Sequence, residues 1–297
     1  MSVLGKNKKQ LENIMKKRLL PGMILCLLAA LTGCAAYSGD GEIQAPMVDK
    51  SPLVLYVSLT GEEEQLAEEI SSLTGGRKID LQTETEINPD TCETIYIGSF
   101  LQNGEILPMV KTFLKEQDFS TKTVIPFGVT ESAQEDRKEK IPGQLQEMCP
   151  ESRVLEGFFP EKGKGWEQKE MLAWLSKNGQ VIPIKILAGE EEVEGVLFGN
   201  PVSREFSGLL PIEVPLYQPA NFAKAFNLSE PMTDPGSRTR LFEKGGLAYW
   251  PEGPAVAVFF SDHVDRTVVP VYTLGKLLER AELFEEYEGT IRIERAE

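Results

Sequence analysis

Leu53-Val54-Leu55-Tyr56-Val57-Ser58-Leu59-Thr60-Gly61-Glu62-Glu63-Glu64 decides how the first half of this chain is read. An apolar run ends in a small polar turn, and the turn leads into a helical pattern with Leu66, Ala67 and Ile70 on one face. A strand, a tight turn and a helix N-terminus leave backbone N–H groups free to hold an anion. Here the first helical turn carries three carboxylates instead. Two readings are open. In one, the turn is a phosphate cradle and each acid repels the phosphate by on the order of 1–4 kcal/mol. In the other, Thr60-Gly61-Glu62-Glu63 is a capping box, with Thr60 as N-cap and Glu63 returning to the Thr60 amide. Acid in the first turn also suits the helix dipole, and Glu63 would then satisfy the donors that phosphate would use.

Outward from this turn, short apolar runs alternate with helical patterns from Pro52 to about Gly179, which predicts an α/β sheet. The predicted strands are Leu53–Val57, Lys78–Gln82, Thr94–Ile97, Thr123–Phe127 and Val154–Phe158. The predicted helices are Glu63–Leu73, Pro108–Glu116, Lys138–Met148 and Glu167–Lys177. Only Thr83 to Glu93 separates the second strand from the third, too few residues for a helix and its return. A crossover helix is therefore expected to be missing or reduced to a turn there, with the second half of the chain covering the bared face. After Gly179 the pattern becomes mainly β: Val181–Leu187, Val193–Phe198, Leu247–Trp250, Val256–Phe260, Thr267–Val271 and Thr290–Ile293. Two short helices, Ser203–Leu209 and Lys276–Glu285, interrupt a series that reads as a small barrel.

The N-terminus reads as an address. Lys16, Lys17 and Arg18 precede an apolar run from Leu19 to Leu31 that ends in Leu31-Thr32-Gly33-Cys34, the layout of a secretory signal and too short for a comfortable membrane span. The ending resembles the lipobox of bacterial lipoproteins. That resemblance implies cleavage before Cys34, attachment of lipid such as palmitate to its thiol, and an extracytoplasmic protein anchored to the bacterial membrane. The expected organisation is a signal at 1–33, a lipidated Cys and flexible tether at 34–50, an α/β domain at 51–179 and a barrel at 180–297.

The formal charge is −15, and removing the +5 of residues 1–33 leaves the mature chain near −20. Such an excess argues against nucleic acid and against docking of the whole protein on an anionic membrane. Of four cysteines, Cys26 leaves with the signal and Cys34 takes the lipid; Cys92 and Cys149 are expected to be buried and unpaired. With His263 the one histidine and no clustered Cys, no His/Cys metal site is proposed.

Residues 52 to about 178 resemble the flavodoxin family. The resemblance rests on Tyr56, Ser58, Thr60, Gly61, Leu66 and Ala67, then on Ile97-Gly98, Val110-Lys111-Thr112-Phe113-Leu114 and Thr123-Val124-Ile125-Pro126-Phe127. Leu155-Glu156-Gly157 and Met171-Leu172-Ala173-Trp174-Leu175 complete it. It implies a doubly wound parallel sheet of order 2-1-3-4-5 that binds FMN at the strand C-termini. Phosphate would then sit against Ser58, Thr60 and Gly61, with Ser99 to Gly104 beside the flavin ring. Three loops depart from the family. Glu62-Glu63 replaces its Asn-Thr, Gln102-Asn103 stands where ring-covering aromatics are usual, and Gly128 to Asp136 adds two Glu and an Asp. Together they point to weak or lost flavin affinity.

Residues 180 to 297 resemble the bacterial cyclophilin-like-fold family through Val196-Leu197-Phe198-Gly199-Asn200-Pro201, Glu205-Phe206, Leu209-Leu210-Pro211 and Gly245-Gly246-Leu247-Ala248-Tyr249-Trp250. The segment Gly253 to Phe260 extends the match. The groove environment of true prolyl isomerases is not found; Arg204, Arg238, Arg240 and Arg266 are candidates by residue type alone. His263 lies between acids in Ser261-Asp262-His263-Val264-Asp265 and lacks an identifiable nucleophile or metal partner, so no catalytic set is assigned.

The expected function is flavin-dependent electron transfer, weakened in this chain, with a basic redox protein as the partner that an acidic surface would suit. Two alternatives stand beside it: a non-catalytic binding scaffold, and peptidyl-prolyl isomerisation by the barrel.

Overall fold

The apolar run before the acidic turn is a central strand of a five-stranded parallel sheet. The computed structural model describes residues 50–84, 87–101, 105–131, 140–233 and 238–296. The elements of the first domain are β1 (Leu53–Val57), α1 (Glu62–Thr74), β2 (Arg77–Asp80), β3 (Thr94–Ser99), α2 (Pro108–Glu116), β4 (Thr123–Phe127), α3 (Lys140–Met148), β5 (Arg153–Val154) and α4 (Gln168–Lys177). The strand order is β2-β1-β3-β4-β5, all parallel, as the family resemblance implied. β1 is buried at every position, which a parallel strand with both faces covered requires. One face packs Leu53, Leu55 and Ile97 under Val110 of α2 and Leu145 of α3. The other packs Val54, Tyr56 and Tyr96 under Ile70 of α1 and Trp174 of α4.

Between β2 and β3 the only helical element among the described residues is a single 3-10 turn, Pro89–Thr91, so the reduction of the crossover helix is observed. The expected cover for its face is not. Crossing from β2 to β3 runs opposite in direction to crossing from β1 to β2, so right-handed connections put that turn on the α2/α3 face, away from α1. The barrel packs on the α1/α4 face: its Val181, Val196 and Phe198 share a core with Leu73, Trp174 and Leu175. The thinned face is filled locally by Cys92, with Leu81 and Ile87 packed against it. The barrel sits where it does because α4 leads into it through three residues, Asn178 to Gln180.

The second domain comprises β6 (Val181–Ala188), β7 (Glu191–Phe198), α5 (Pro201–Gly208), β8 (Ile212–Pro215), β9 (Tyr217–Ala220), β10 (Ala223–Asn227), β11 (Thr239–Leu241), β12 (Gly246–Trp250), β13 (Ala255–Phe259), β14 (Arg266–Leu277), α6 (Leu283–Glu286) and β15 (Thr290–Arg295). The sheet runs β8-β15-β6-β7-β14-β12-β13-β10-β9, with β11 added to β14. Only Leu216 separates β8 from β9, so one bent strand pairs with β15 on one side and β10 on the other and closes the barrel. Its interior is packed by Ile184, Leu197, Phe206, Phe226, Tyr249 and Phe284.

One predicted helix is corrected: most of Lys276–Glu285 is not helical. Lys276 and Leu277 end β14, because Gly275 pairs with both Leu197 and Leu247 and its missing Cβ admits the Val196 carbonyl, which would lie 2.0 Å from that atom. The helix is confined to α6. Cys92 and Cys149 are both buried and form no disulfide. They precede β3 and β5 with β4 between them, a separation of about 10 Å at the usual strand spacing and too far for a disulfide. Burial pushes the Cys149 thiol pKa up.

Candidate functional site

The turn between β1 and α1 folds back on one carboxylate. Gly61 takes the left-handed conformation (φ 88°) and stands as the N-cap of α1 without a side-chain cap bond, so the helix begins one residue later than a Thr60 cap would set it. Glu63, fully buried, turns its side chain into the loop that precedes it. Its Oε2 accepts hydrogen bonds from the amides of Leu59 and Thr60, each at 3.1 Å. The hydroxyl of Ser58 also donates to it at 3.1 Å, and that of Thr60 donates to the same carboxylate at 3.0 Å. Gly61 N–H is taken by Ser58 Oγ at 3.0 Å, and Glu62 N–H by Thr60 Oγ1 at 3.3 Å. The expected return of Glu63 to the Thr60 amide is present, but Thr60 Oγ1 accepts from the Glu62 amide rather than from that of Glu63, while its hydroxyl donates to the carboxylate.

Each of these donors is one that an anion in the turn would need. A carboxylate with two amide and two hydroxyl donors has its charge compensated locally, which a buried anion requires. Ser58 and Thr60 are thus gathered around an oxygen that belongs to the chain, and the Gly61 amide is taken by Ser58 Oγ.

The neighbouring loops are similarly occupied from within. Ser99 is buried; its hydroxyl donates to the Phe100 carbonyl at 3.0 Å and accepts from Leu107 N–H at 3.3 Å. Gly104 lies outside the described residues, as do Gln102, Asn103 and most of the acidic third loop. Phe100 is buried in the α1/α4-side core, with Lys162 Nζ 5.9 Å from its ring centre. Beyond the strand ends, Leu101 bridges Thr130, and Thr130 bridges Glu161, so the loops after β3, β4 and β5 are zipped to one another. Gly128 makes this possible: a Cβ there would stand 1.8 Å from the Ser99 carbonyl oxygen.

The loop after β5 is tied to α1 by two further acids. Glu62 Oε1 accepts from Gly163 N–H at 2.9 Å, and Glu69 accepts from the Trp166 indole at 2.5 Å. These links over about a hundred residues left no local signal in the sequence. Deeper in the sheet, burial pushes the Tyr56 phenol pKa up, helped by the charges of Glu64 and Asp80 and opposed by Lys78.

Tested against FMN, the loop as folded does not fit the phosphate. The cradle donors are already spent on Glu63 and on the Ser58 and Thr60 hydroxyls, and a second anion placed there would meet that buried carboxylate at close range.

The barrel candidates do not converge. Arg204 donates to the Gly179 and Gly199 carbonyls, bracing the linker between the domains. Arg238 pairs with Glu252 and lies over the Tyr272 ring. Arg266 approaches Asp265 at 4.0 Å on the surface, and Arg240 is exposed. His263 Nδ1 lies 2.7 Å from Ser261 Oγ, with its ring edge-on to Phe222.

Comparison with known proteins agrees with both halves. Residues 53–179 match the family model described as flavodoxin domain, and residues 186–294 match that of the cyclophilin-like family. The chain therefore joins a flavodoxin-like domain to a cyclophilin-like domain, and the first match supports FMN-binding, redox-type function in general terms. Comparison with curated proteins gives no match. Similar solved structures include a flavoprotein in complex with FMN from Lactobacillus acidophilus (18% identity, 42% of this chain and 98% of that one, TM-score 0.33). Flavodoxin 1 from Bacillus cereus is another (18%, 43% and 94%, TM-score 0.35), as is a hypothetical protein from Archaeoglobus fulgidus (22%, 40% and 97%, TM-score 0.35).

Proposed function

We propose that this chain, a flavodoxin domain joined to a cyclophilin-like domain, is an extracytoplasmic lipoprotein anchored through Cys34 in which flavin affinity is weakened and the two domains serve as a binding scaffold. The observation that carries this reading is Glu63, whose carboxylate takes four donors of the Ser58–Thr60 turn. A cofactor phosphate would have to expel it and bear the cost of leaving a buried carboxylate unpaired. The zipped loops and the inward-turned Ser99 support the same reading. The lipobox residues Leu31 to Cys34 support the anchor, and the acidic composition leaves membrane association to the lipid.

Flavin titration tests the proposal. Wild-type protein is expected to leave micromolar FMN free in solution. The double variant Glu62→Asn with Glu63→Thr, which empties the turn and restores neutral donors, is expected to bind it more tightly. Wild-type protein that carries FMN through gel filtration would overturn the reading, and so would a double variant no tighter than wild type. For the anchor, radiolabelled palmitate should mark the wild type and leave Cys34→Ala unlabelled.

A further inference from the structure

Half of the large apolar side chains that stand exposed among the described residues belong to one ribbon and the loop that leads into it. Val268 is 83% exposed, Leu241 55%, and Val264 and Val269 37% each. The others, Leu59, Met109, Leu209 and Tyr217, lie singly on separate segments and call for no explanation, whereas a cluster does. The ribbon is β11 with the N-terminal part of β14, and among the described strands β11 pairs with β14 alone.

The ribbon is built to push its apolar crest outward. Between the same two pairings β11 advances from Thr239 to Leu241, while β14 runs from Val271 to Arg266. The surplus residues of β14 bulge, and Val268 stands at the crest. Thr267 fixes the bulge: its hydroxyl lies 2.6 Å from the Val269 carbonyl oxygen and 3.3 Å from that of Arg240. Phe242 N–H donates to the Asp265 carbonyl at 3.1 Å, which draws the Val264 segment onto the same patch. Beneath, Phe242 stacks on Phe259 with centroids 4.0 Å apart and packs in one cluster with Val271, so the crest has a rigid base.

Charge is balanced around the crest. Arg240 and Arg266 are exposed, as are Asp262 and Asp265. Glu243 pairs with Lys276, and Arg238 with Glu252. The patch is locally neutral in a chain of formal charge −15, so it escapes the repulsion that the rest of the surface would meet at a bilayer.

The described chain also begins at this end of the molecule. Arg77 N–H donates to the Pro52 carbonyl at 2.7 Å, and the adjoining Gly76 lines the same groove as Leu241. Residues 34 to 50 reach at most about 55 Å. A lipid on Cys34 would therefore hold the ribbon near the membrane and raise the local concentration of bilayer surface around it.

We propose that the β11–β14 ribbon docks on a phospholipid bilayer, with Val268, Leu241, Val264 and Val269 in the interface and Arg240 and Arg266 at headgroup level. The proposal rests on the reading of Cys34 as the lipid-bearing residue. The lipid attaches the chain and the ribbon orients it, which turns the Glu63 turn, at the other end of α1, away from the membrane.

Vesicles of phosphatidylcholine with brominated acyl chains test this, because bromine in the bilayer quenches a tryptophan that enters it. The chain from Cys34, which keeps every described residue, is coupled through that thiol to a maleimide phospholipid, so the tether is present whether or not a cell lipidates it. Cys92 and Cys149 are buried and do not compete. After subtraction of the wild-type signal, Val268→Trp should lose at least about half of its emission relative to vesicles without bromine. Met109→Trp, exposed on α2 at the opposite face of the sheet, should lose less than about a tenth. Leu241→Asp added to Val268→Trp should cut the quenching at least about twofold. Equal quenching at the two positions, none at Val268→Trp, or quenching unmoved by Leu241→Asp would overturn the proposal. So would a dimer in solution that Val268→Asp dissociates, since the ribbon would then belong to a second copy of this chain. Failure of palmitate labelling at Cys34 would overturn the anchor separately, because the coupled chain still reports on the ribbon.

Discussion

The two ends of α1 show opposite solutions to the same problem. A helix leaves unpaired N–H groups at one end and unpaired carbonyls at the other. At the N-terminus the chain supplies its own anion: Glu63 sits on the preceding turn and Glu62 holds the loop after β5. At the C-terminus the Gly75 amide returns to the Ser71 carbonyl, and no charged residue of the helix closes the end. Beyond it the barrel leaves a cleft rather than a sealed interface. In this fold family the positive end is where an anionic ligand is expected. Here that end is spent on side chains of the chain itself, while at the other end the Lys276 ammonium of the barrel reaches Ser72 in the last turn.

The comparison can be broken at its sealed end first. Glu63→Leu leaves two amides and two hydroxyls in the turn without their acceptor, and urea unfolding should show a loss of about 3 kcal/mol or more. Glu63→Gln keeps an acceptor oxygen and should cost about 1 kcal/mol. Equal costs for the two would mean that volume rather than hydrogen bonding holds the turn. At the open end, Gly75→Ala combines a left-handed φ with crowding against the Phe198 ring, and should cost about 1–2 kcal/mol with the domains still folded. A loss within a few tenths would show that the ring yields and that the cleft wall is soft. Least costly is Ser72→Ala, which removes one partner of Lys276 while Glu243 remains. It should change stability by no more than about 0.5 kcal/mol, and a larger loss would make the Lys276 strut a structural element of the interface.

Much of the first domain was legible because its signals are local. β1, the turn and α1 follow from apolar runs, a Gly and helical spacing within about twenty residues, and Pro108–Glu116 is observed with the predicted bounds. The Glu63 bonds span five residues or fewer, which is why a capping pattern anticipated them even though the cap falls on Gly61. Parts of the barrel were illegible for the complementary reason. β8 and β9 contain Pro215 and Pro219 and bury little of their surface, so no period-2 apolar pattern marks them. The stretch after Leu274 has helical spacing in isolation, yet pairing on both sides of Gly275 extends it as a strand.

The sequence by itself determined the two-domain plan, the strand–turn–helix unit and the presence of an acid where that unit would otherwise hold an anion, since each depends on contacts a few residues apart. Tertiary structure alone decided that the barrel docks on the α1/α4 face rather than on the thinned one. It also brought Ser71 to Gly75 opposite Phe242 and Thr273 in a single cleft. Those outcomes depend on crossover handedness, on a three-residue linker and on packing between segments well over a hundred residues apart, and none of these leaves a periodic mark in either segment taken alone.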